Sequence, residues 1–337
     1  MKTCLNQKQV EENWELFSVD ARKVGKSDID SGQELVPMLG TGFLRHIFPD
    51  SENNEVTSWA KLLLHLASET GCDLSKDICD ASQGLVGYWE SLCIQLARKY
   101  NRQANEAEGL LREKIQECHN RKCEDHYFDN FLDDSNGIRQ RRNRFLSLGF
   151  QNVLNYNFDR ILSISNKVRN PRPTSLKDIK EPLYRFYKSS PINGVRQANV
   201  WHPHGDLGLR SSMMLGIRQY CLQISKIESA RNDFKFKEKG GKGFHGSSWY
   251  YVAVNAPLVL LGLGLSPDEW DVWWFLTNRA RNHAQLEPRQ IPRLYRLVAI
   301  NDGDSKAVDW LNIGQHRIID LCADSWDEAW ERFYECF

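Results

Sequence analysis

The residues best suited to chemistry lie in two short stretches, "NYNFD" and "WHPHGDL". The first carries Asn157 and Asp159, the second His202, His204 and Asp206. Imidazoles exchange protons near neutral pH, and amides and carboxylates hydrogen-bond hydroxyls or a carboxamide. The two histidines admit a metal site, a catalytic histidine, or polar residues at a strand end. Two histidines around Pro203 do not make a metal site without further ligands. His204 precedes Gly205, at a strand-to-loop transition where a side chain can face a cleft, and His202 shares that face only if Pro203 leaves the strand straight. Asn157 and Asp159, two residues apart, share one side of an extended end and suit ribose hydroxyls or a carboxamide. An Asx turn, with Asp159 capping the next helix, is the alternative.

Two glycine stretches add backbone chemistry. "LGTGF" places Gly40, Thr41 and Gly42 after an apolar run, and "GLGLS" places Gly262, Gly264 and Ser266 after another. Without Cβ atoms, the backbone can approach a phosphate or ribose and point amide hydrogens at it. Tight turns explain the same glycines, and Ser266 followed by Pro267, Asp268 and Glu269 also reads as a helix start.

Elements must position these stretches. "ELVPMLGTGF" reads as a buried strand entering a tight loop. "TSWAKLLLHLASETG" reads as a helix capped by Thr57 or Ser58 and stopped by Gly71. "NVLNYN" is a predicted strand, with a helix from Asp159, and "NVWHPH" is another strand. Residues 167–198 carry four prolines and read as a long surface connection. "IRQYCLQISKIESA" reads as a helix and "DFKFKEKGGKGFHGSS" as a basic, glycine-rich loop. From "PLVLLGLG" onward the chain alternates: strand, helix ("SPDEWDVWWFLTNRARN"), strand ("RLYRLVAI"), helix ("DGDSKAVDWLN"), strand ("HRIIDLC") and final helix. Alternation of this kind implies an α/β fold with a mostly parallel sheet and flanking helices. The four chemical stretches then share the carboxyl ends of strands, where open parallel sheets bind ligands. Residues 72–135 are polar and helical and interrupt this order as an inserted subdomain suited to a lid or docking role. Residues 1–34 form an amino-terminal helical segment, and 35–337 the main domain.

The 337 residues carry 44 Lys+Arg against 44 Asp+Glu, so strong direct binding of nucleic acid, which needs a basic surface, is not expected. No run suits a signal peptide or a membrane span, and the chain reads as cytoplasmic. Nine scattered cysteines fit reduced thiols. Cys118, His119, Cys123 and His126 lack the tight pairing of structural zinc sites, so no metal is expected.

Taken in order, "GTGF", "TSWAKLLLHL", "NYNFDRIL", "WHPHGDL" and "GLGLSPDEWDVWWFL" resemble the motifs of bacterial sirtuin-like NAD-binding domains. That family has a Gly-Ala-Gly loop, a Pro-Ser-Trp helix start, and Thr-Asn-Tyr-Asp, Lys-Leu-His-Gly and Gly-Tyr-Ser-Leu motifs. The resemblance runs from about residue 35 to the end, without the insert. It implies a Rossmann-like sheet binding NAD+, with His204 catalytic and Asn157 positioning a ribose or water. It also implies Asp159 facing the nicotinamide, Gly40, Thr41 and Gly42 at the pyrophosphate, and Gly262 and Gly264 at the adenosine, where the Ser266 hydroxyl is also a candidate cofactor contact. Thr41, Leu44 and Gly264 replace the family's usual alanine, serine and serine, and the paired zinc cysteines of protein-deacylating sirtuins are absent. Among chains without that zinc module, the resemblance points to NAD+ glycohydrolases of anti-phage defence, gated by a protein partner or homo-oligomeric assembly. A non-catalytic sensor of NAD or an ADP-ribose derivative is the alternative, with a deacylase or ADP-ribosyltransferase behind it.

Overall fold

The computed structural model describes residues 6–26, 34–48, 58–74, 85–119, 137–163, 183, 185–238, 248–265, 269–287, 290–299 and 318–337. Among the described residues, seven strands form one sheet: β1 (Val36–Leu39), β2 (Asn152–Asn155), β3 (Phe186–Lys188), β4 (Asn199–Trp201), β5 (Leu258–Leu261), β6 (Leu294–Ala299) and β7 (Ile318–Ala323). Their spatial order is β3-β4-β2-β1-β5-β6-β7. All neighbours run parallel except β3, which pairs antiparallel with β4 at the edge. Without β3, the parallel strands follow the order 3-2-1-4-5-6 of dinucleotide-binding doubly wound sheets, and the chain direction switches between β1 and β5. The fold is a Rossmann-like α/β fold.

Apolar residues of β1, β2 and β5 divide between the two faces of the sheet with period two, as pleating demands. Leu39, Val153, Val259 and Leu261 face one core with Trp14, Phe17, Phe145, Trp330 and Phe333. Met38, Leu154, Leu258 and Leu260 face another with Trp249, Tyr250 and Phe275. Full burial of each such side chain contributes about 1.5–3 kcal/mol. The first layer holds α1 (Gln7–Ala21), α2 (Thr41–Ile47), α6 (Ile138–Ser147) and α10 (Trp326–Glu335). The second holds α7 (Ile217–Glu238), α8 (Trp249–Val254) and α9 (Trp270–Asn282). The segment 1–34 thus contributes α1 to the principal core, where Phe17 stacks on Phe333. Pro37 is tolerated inside β1. Val36 N–H bonds Pro257 on the β5 side, and registered pairing on the other side begins only at Met38.

Three helices make a third layer. α3 (Trp59–Thr70) is capped by Ser58, whose side chain accepts from Lys61 N–H, and ends at Gly71 in the left-handed region. α4 (Leu85–Tyr100) and α5 (Ala104–His119) supply the described part of the insert. Their buried Leu63, Trp89, Leu92 and Leu111 pack with Met213 and Leu215 from beyond β4, and Phe158 from beyond β2 packs against them. The insert therefore sits at the carboxyl ends of the strands.

The structure corrects several expectations. Residues 167–198 include the strand β3, which the prolines obscured. Asp159 leads into a turn at 161–163 rather than directly into a helix. α9 begins at Trp270, with Glu269 at its N-cap, and residues 266–268, where the run suggests a start, lie outside the described residues. The helix α8 was not anticipated. α7 continues to Glu238, into the stretch read as a basic loop. Ser266, residues 239–247, the helix expected at "DGDSKAVDWLN", Cys123 and His126 lie outside the described residues. Among the described residues, no helix is long and apolar enough to cross a membrane.

Candidate active site at the carboxyl ends of the strands

Sheet register brings the chemical stretches level. Met38 pairs with Leu154 and with Leu260, and Leu154 pairs with Trp201. Three residues beyond these partners stand Thr41, Asn157, Leu263 and His204. The loops that follow the neighbouring strands β2 and β4 adjoin there: the Tyr156 ring meets the His204 imidazole at 4.8 Å, and His202 Nδ1 lies 3.3 Å from Asn157 O.

The glycine loops are locked to each other. Gly40 N–H bonds Leu261 O at 3.1 Å, and Gly42 N–H bonds Gly262 O at 2.9 Å. A Cβ on Gly42 would come within 2.6 Å of Gly262 Cα, and one on Gly40 within 2.6 Å of Leu263 Cα. Gly262 itself has φ +65, and its missing Cβ makes room for the Gly42–Phe43 backbone. The first use of Gly40, Gly42 and Gly262 is thus backbone-to-backbone packing between two loops. Gly264 differs: a Cβ there would meet nothing within 4 Å, and both Gly264 and Thr41 are exposed. Leu44, where the resemblance places a serine, is buried in the principal core.

A short hydrogen-bond chain holds "NYNFD". Asn155 Nδ2 donates to Asp159 O, Asn157 N–H to Asn155 Oδ1, and Asn157 Nδ2 to Gly40 O at 2.9 Å. Asn157 Oδ1 has no protein partner among the described residues. Asp159 Oδ1 accepts from Ile161 N–H at 2.9 Å, the Asx turn named as an alternative. Its Oδ2 is buried without a partner among the described residues. Burial pushes the carboxyl up to about 6, against the lowering bonds from Ile161 and Asn155.

In "HPHGD" the two histidines part company. The chain turns at once after β4, with Gly205 N–H on His202 O and Gly205 at φ +81, so Pro203 does not continue the strand. His202 is fully buried, its Nδ1 lies 3.3 Å from Asn157 O, and its Nε2 has no partner among the described residues. Burial, with Arg185 and Arg160 nearby, pushes its pKa down to about 4, so it stays neutral. Asp206 anchors the loop. It pairs with Arg160 at 2.8 Å and with Arg185, and accepts from Tyr187 Oη at 3.0 Å and Gly208 N–H. Burial opposes its ionisation, but the two arginines outweigh this and hold the carboxyl low. Arg185 and Tyr187 come from the edge strand and the residue before it, in the region read as a surface connection.

His204 is held by a residue the sequence did not flag. Its Nε2 lies 3.1 and 3.2 Å from the carboxylate oxygens of Asp271, in the first turn of α9. Asp271 is 1% exposed and His204 5%. The rings of Tyr156 and Tyr220 meet the imidazole edge-on at 4.8 and 5.5 Å. Burial lowers the imidazole pKa, but the charge and hydrogen bond of Asp271, with Glu269, exceed this and raise it. Donation of Nε2–H to Asp271 leaves the lone pair of a neutral imidazole on Nδ1. Sixty-seven residues separate the pair, and in sequence Asp271 is only another acid near a helix start. Among the described residues, no group of three or more His, Cys, Asp or Glu side chains could hold a metal ion. Cys118 is buried in the core of the third layer.

No protein-family model matches the chain, and no curated protein does.

Proposed function

We propose that the protein is an NAD+ glycohydrolase, cleaving NAD+ with water to nicotinamide, ADP-ribose and a proton. The observation that carries this reading is the buried His204–Asp271 pair beyond the carboxyl end of β4, where its loop adjoins the loop of Asn157 in a dinucleotide-type sheet. The nicotinamide leaving group of NAD+ is already cationic, so the reaction needs a positioned ribose, support for an oxocarbenium-like state, and a base for water. The Oδ1 of Asn157 offers its dipole to that positive charge. His204 takes the water proton on Nδ1 as the new C–O bond forms, and Asp271 stabilises the resulting imidazolium. The exposed Gly264 and Thr41 leave backbone open to the rest of the dinucleotide. In this reading the chain is an effector of anti-phage defence, gated by a partner protein or by self-assembly. The helical insert, packed on the loops beyond β2 and β4, is the surface from which such gating reaches the site.

One observation favours a binding-only sensor: buried Leu44 supplies no hydroxyl where the resemblance places one. Incubation with NAD+ and chromatography of the products separates the two. Free nicotinamide with ADP-ribose is expected, and both H204A and N157A should abolish it while circular dichroism shows a folded chain. H202A should keep most activity or fail by unfolding, because His202 is a core residue. A folded H204A protein that consumes NAD+ at the parent rate ends the catalytic reading.

A further inference from the structure

Tyr156 stands one residue before Asn157 and is 5% exposed. Its ring packs edge-on against His204 at 4.8 Å and against Trp249 at 6.5 Å, in the layer that also carries Asp271. Its backbone N–H is satisfied by Leu39 O. Its hydroxyl, by contrast, is buried with no hydrogen-bond partner among the described residues. Tyrosine side chains taken into a core almost always find a partner for the hydroxyl, and phenylalanine fills the same space without the desolvation penalty. The hydroxyl also lies within electrostatic reach of two carboxylates. Burial first, then Asp271 and Glu269, hold it far above the usual phenol range, so it keeps its proton and can only donate or accept as a neutral group.

We propose that the Tyr156 hydroxyl is a ligand-contacting donor of this site, kept unsatisfied for a neutral oxygen acceptor of the bound substrate. The field of Asp271 and Glu269 disfavours a phosphate or carboxylate there. The acceptors that fit are the carboxamide carbonyl of nicotinamide or a hydroxyl of the adjoining ribose. A donor next to the His204 imidazole orients the end of the dinucleotide at which the bond breaks. The proposal deepens the NAD+ reading and rests on it.

The test is Y156F, which removes the hydroxyl and keeps the ring. Deleting a hydroxyl that is unsatisfied in the free protein should leave the melting temperature unchanged or raise it. Losing one neutral hydrogen bond to the ligand should lower kcat/KM for NAD+ about tenfold. Product inhibition by nicotinamide distinguishes the acceptors. Weaker inhibition of Y156F assigns the carboxamide, whereas unchanged inhibition with reduced kcat/KM assigns the ribose. Parent-like kcat/KM for Y156F, in a preparation where H204A is inactive, overturns the hydroxyl role alone. A melting temperature lowered by more than about 5 °C also overturns it, because the hydroxyl would then be satisfied within the protein. A wild-type chain that neither cleaves NAD+ nor binds it by calorimetry overturns the functional reading and this inference together.

Discussion

Replacing Asp271 with Asn removes one charge from the candidate site and keeps nearly the same shape. At 3.1 Å the His204–Asp271 pair has a Coulomb attraction of about 5 kcal/mol at an effective dielectric constant of about 20. Desolvating the buried imidazolium opposes it by several kcal/mol. The balance leaves the imidazole pKa above its ordinary 6.5, with burial the largest single effect and Asp271 and Glu269 together outweighing it. In D271N the burial remains and most of the attraction is gone, so the pKa should fall below 6.5. The asparagine Nδ2 can also donate to Nε2, which forces the proton onto Nδ1 and removes the base. Turnover of NAD+ should fall about 10²- to 10⁴-fold, the range expected when a general base loses its tautomer and its counter-charge. The sign of the stability effect is fixed as well. With a raised folded-state pKa, the pair's stabilisation is fully present below pH 6.5 and is lost as pH climbs through the raised value. In D271N that loss above pH 6.5 should vanish, replaced by a loss of stability as pH falls below 6.5. NMR titration of the His204 ring and urea unfolding across pH measure both, and the alkaline-going limb of kcat/KM should move to lower pH in any residual activity. A His204 midpoint still above 6.5 in D271N, or turnover within about threefold of the parent, refutes the dyad.

Two further outcomes follow from the same geometry. Asp159 has a folded pKa of about 6 against 3.8 in a free chain. Native stability should therefore fall as pH rises from about 4 to about 6, by up to about 3 kcal/mol. D159N should remove that component from a wild-type-minus-variant urea comparison, and an unchanged difference across this range refutes it. G262A places a Cβ against the Gly42–Phe43 backbone at φ +65. It should cost about 3 kcal/mol or more and weaken NAD+ binding, since both glycine loops must part; a loss under about 1 kcal/mol refutes the interlock.

Much of the fold was legible because it is written in local periodicity. Apolar runs such as "PLVLLGLG" and "NVLNYN" sit between helical patterns, and burial on both faces is what parallel strands require. The Ser58 cap, the Gly71 stop and the placing of glycines, Asn157 and His204 at strand ends follow from the same local rules. What adjoins what is not local. The edge strand β3 is three residues long amid prolines, and only antiparallel pairing with β4 makes it a strand. Arg185 and Arg160 converge on Asp206 because three separate segments meet beneath the loop after β4. The sequence by itself determined that two histidines and an asparagine stand at the ends of parallel strands. Only the tertiary structure decided that His202 is a core residue, that His204 is the one paired, and that the glycines first serve each other. The physical reason is that a carboxylate acts on whatever it touches. Asp271 touches His204 because α9 packs with α7 and α8 on one face of the sheet, with Phe275 against Trp249 and Tyr250, a contact that sequence spacing does not encode.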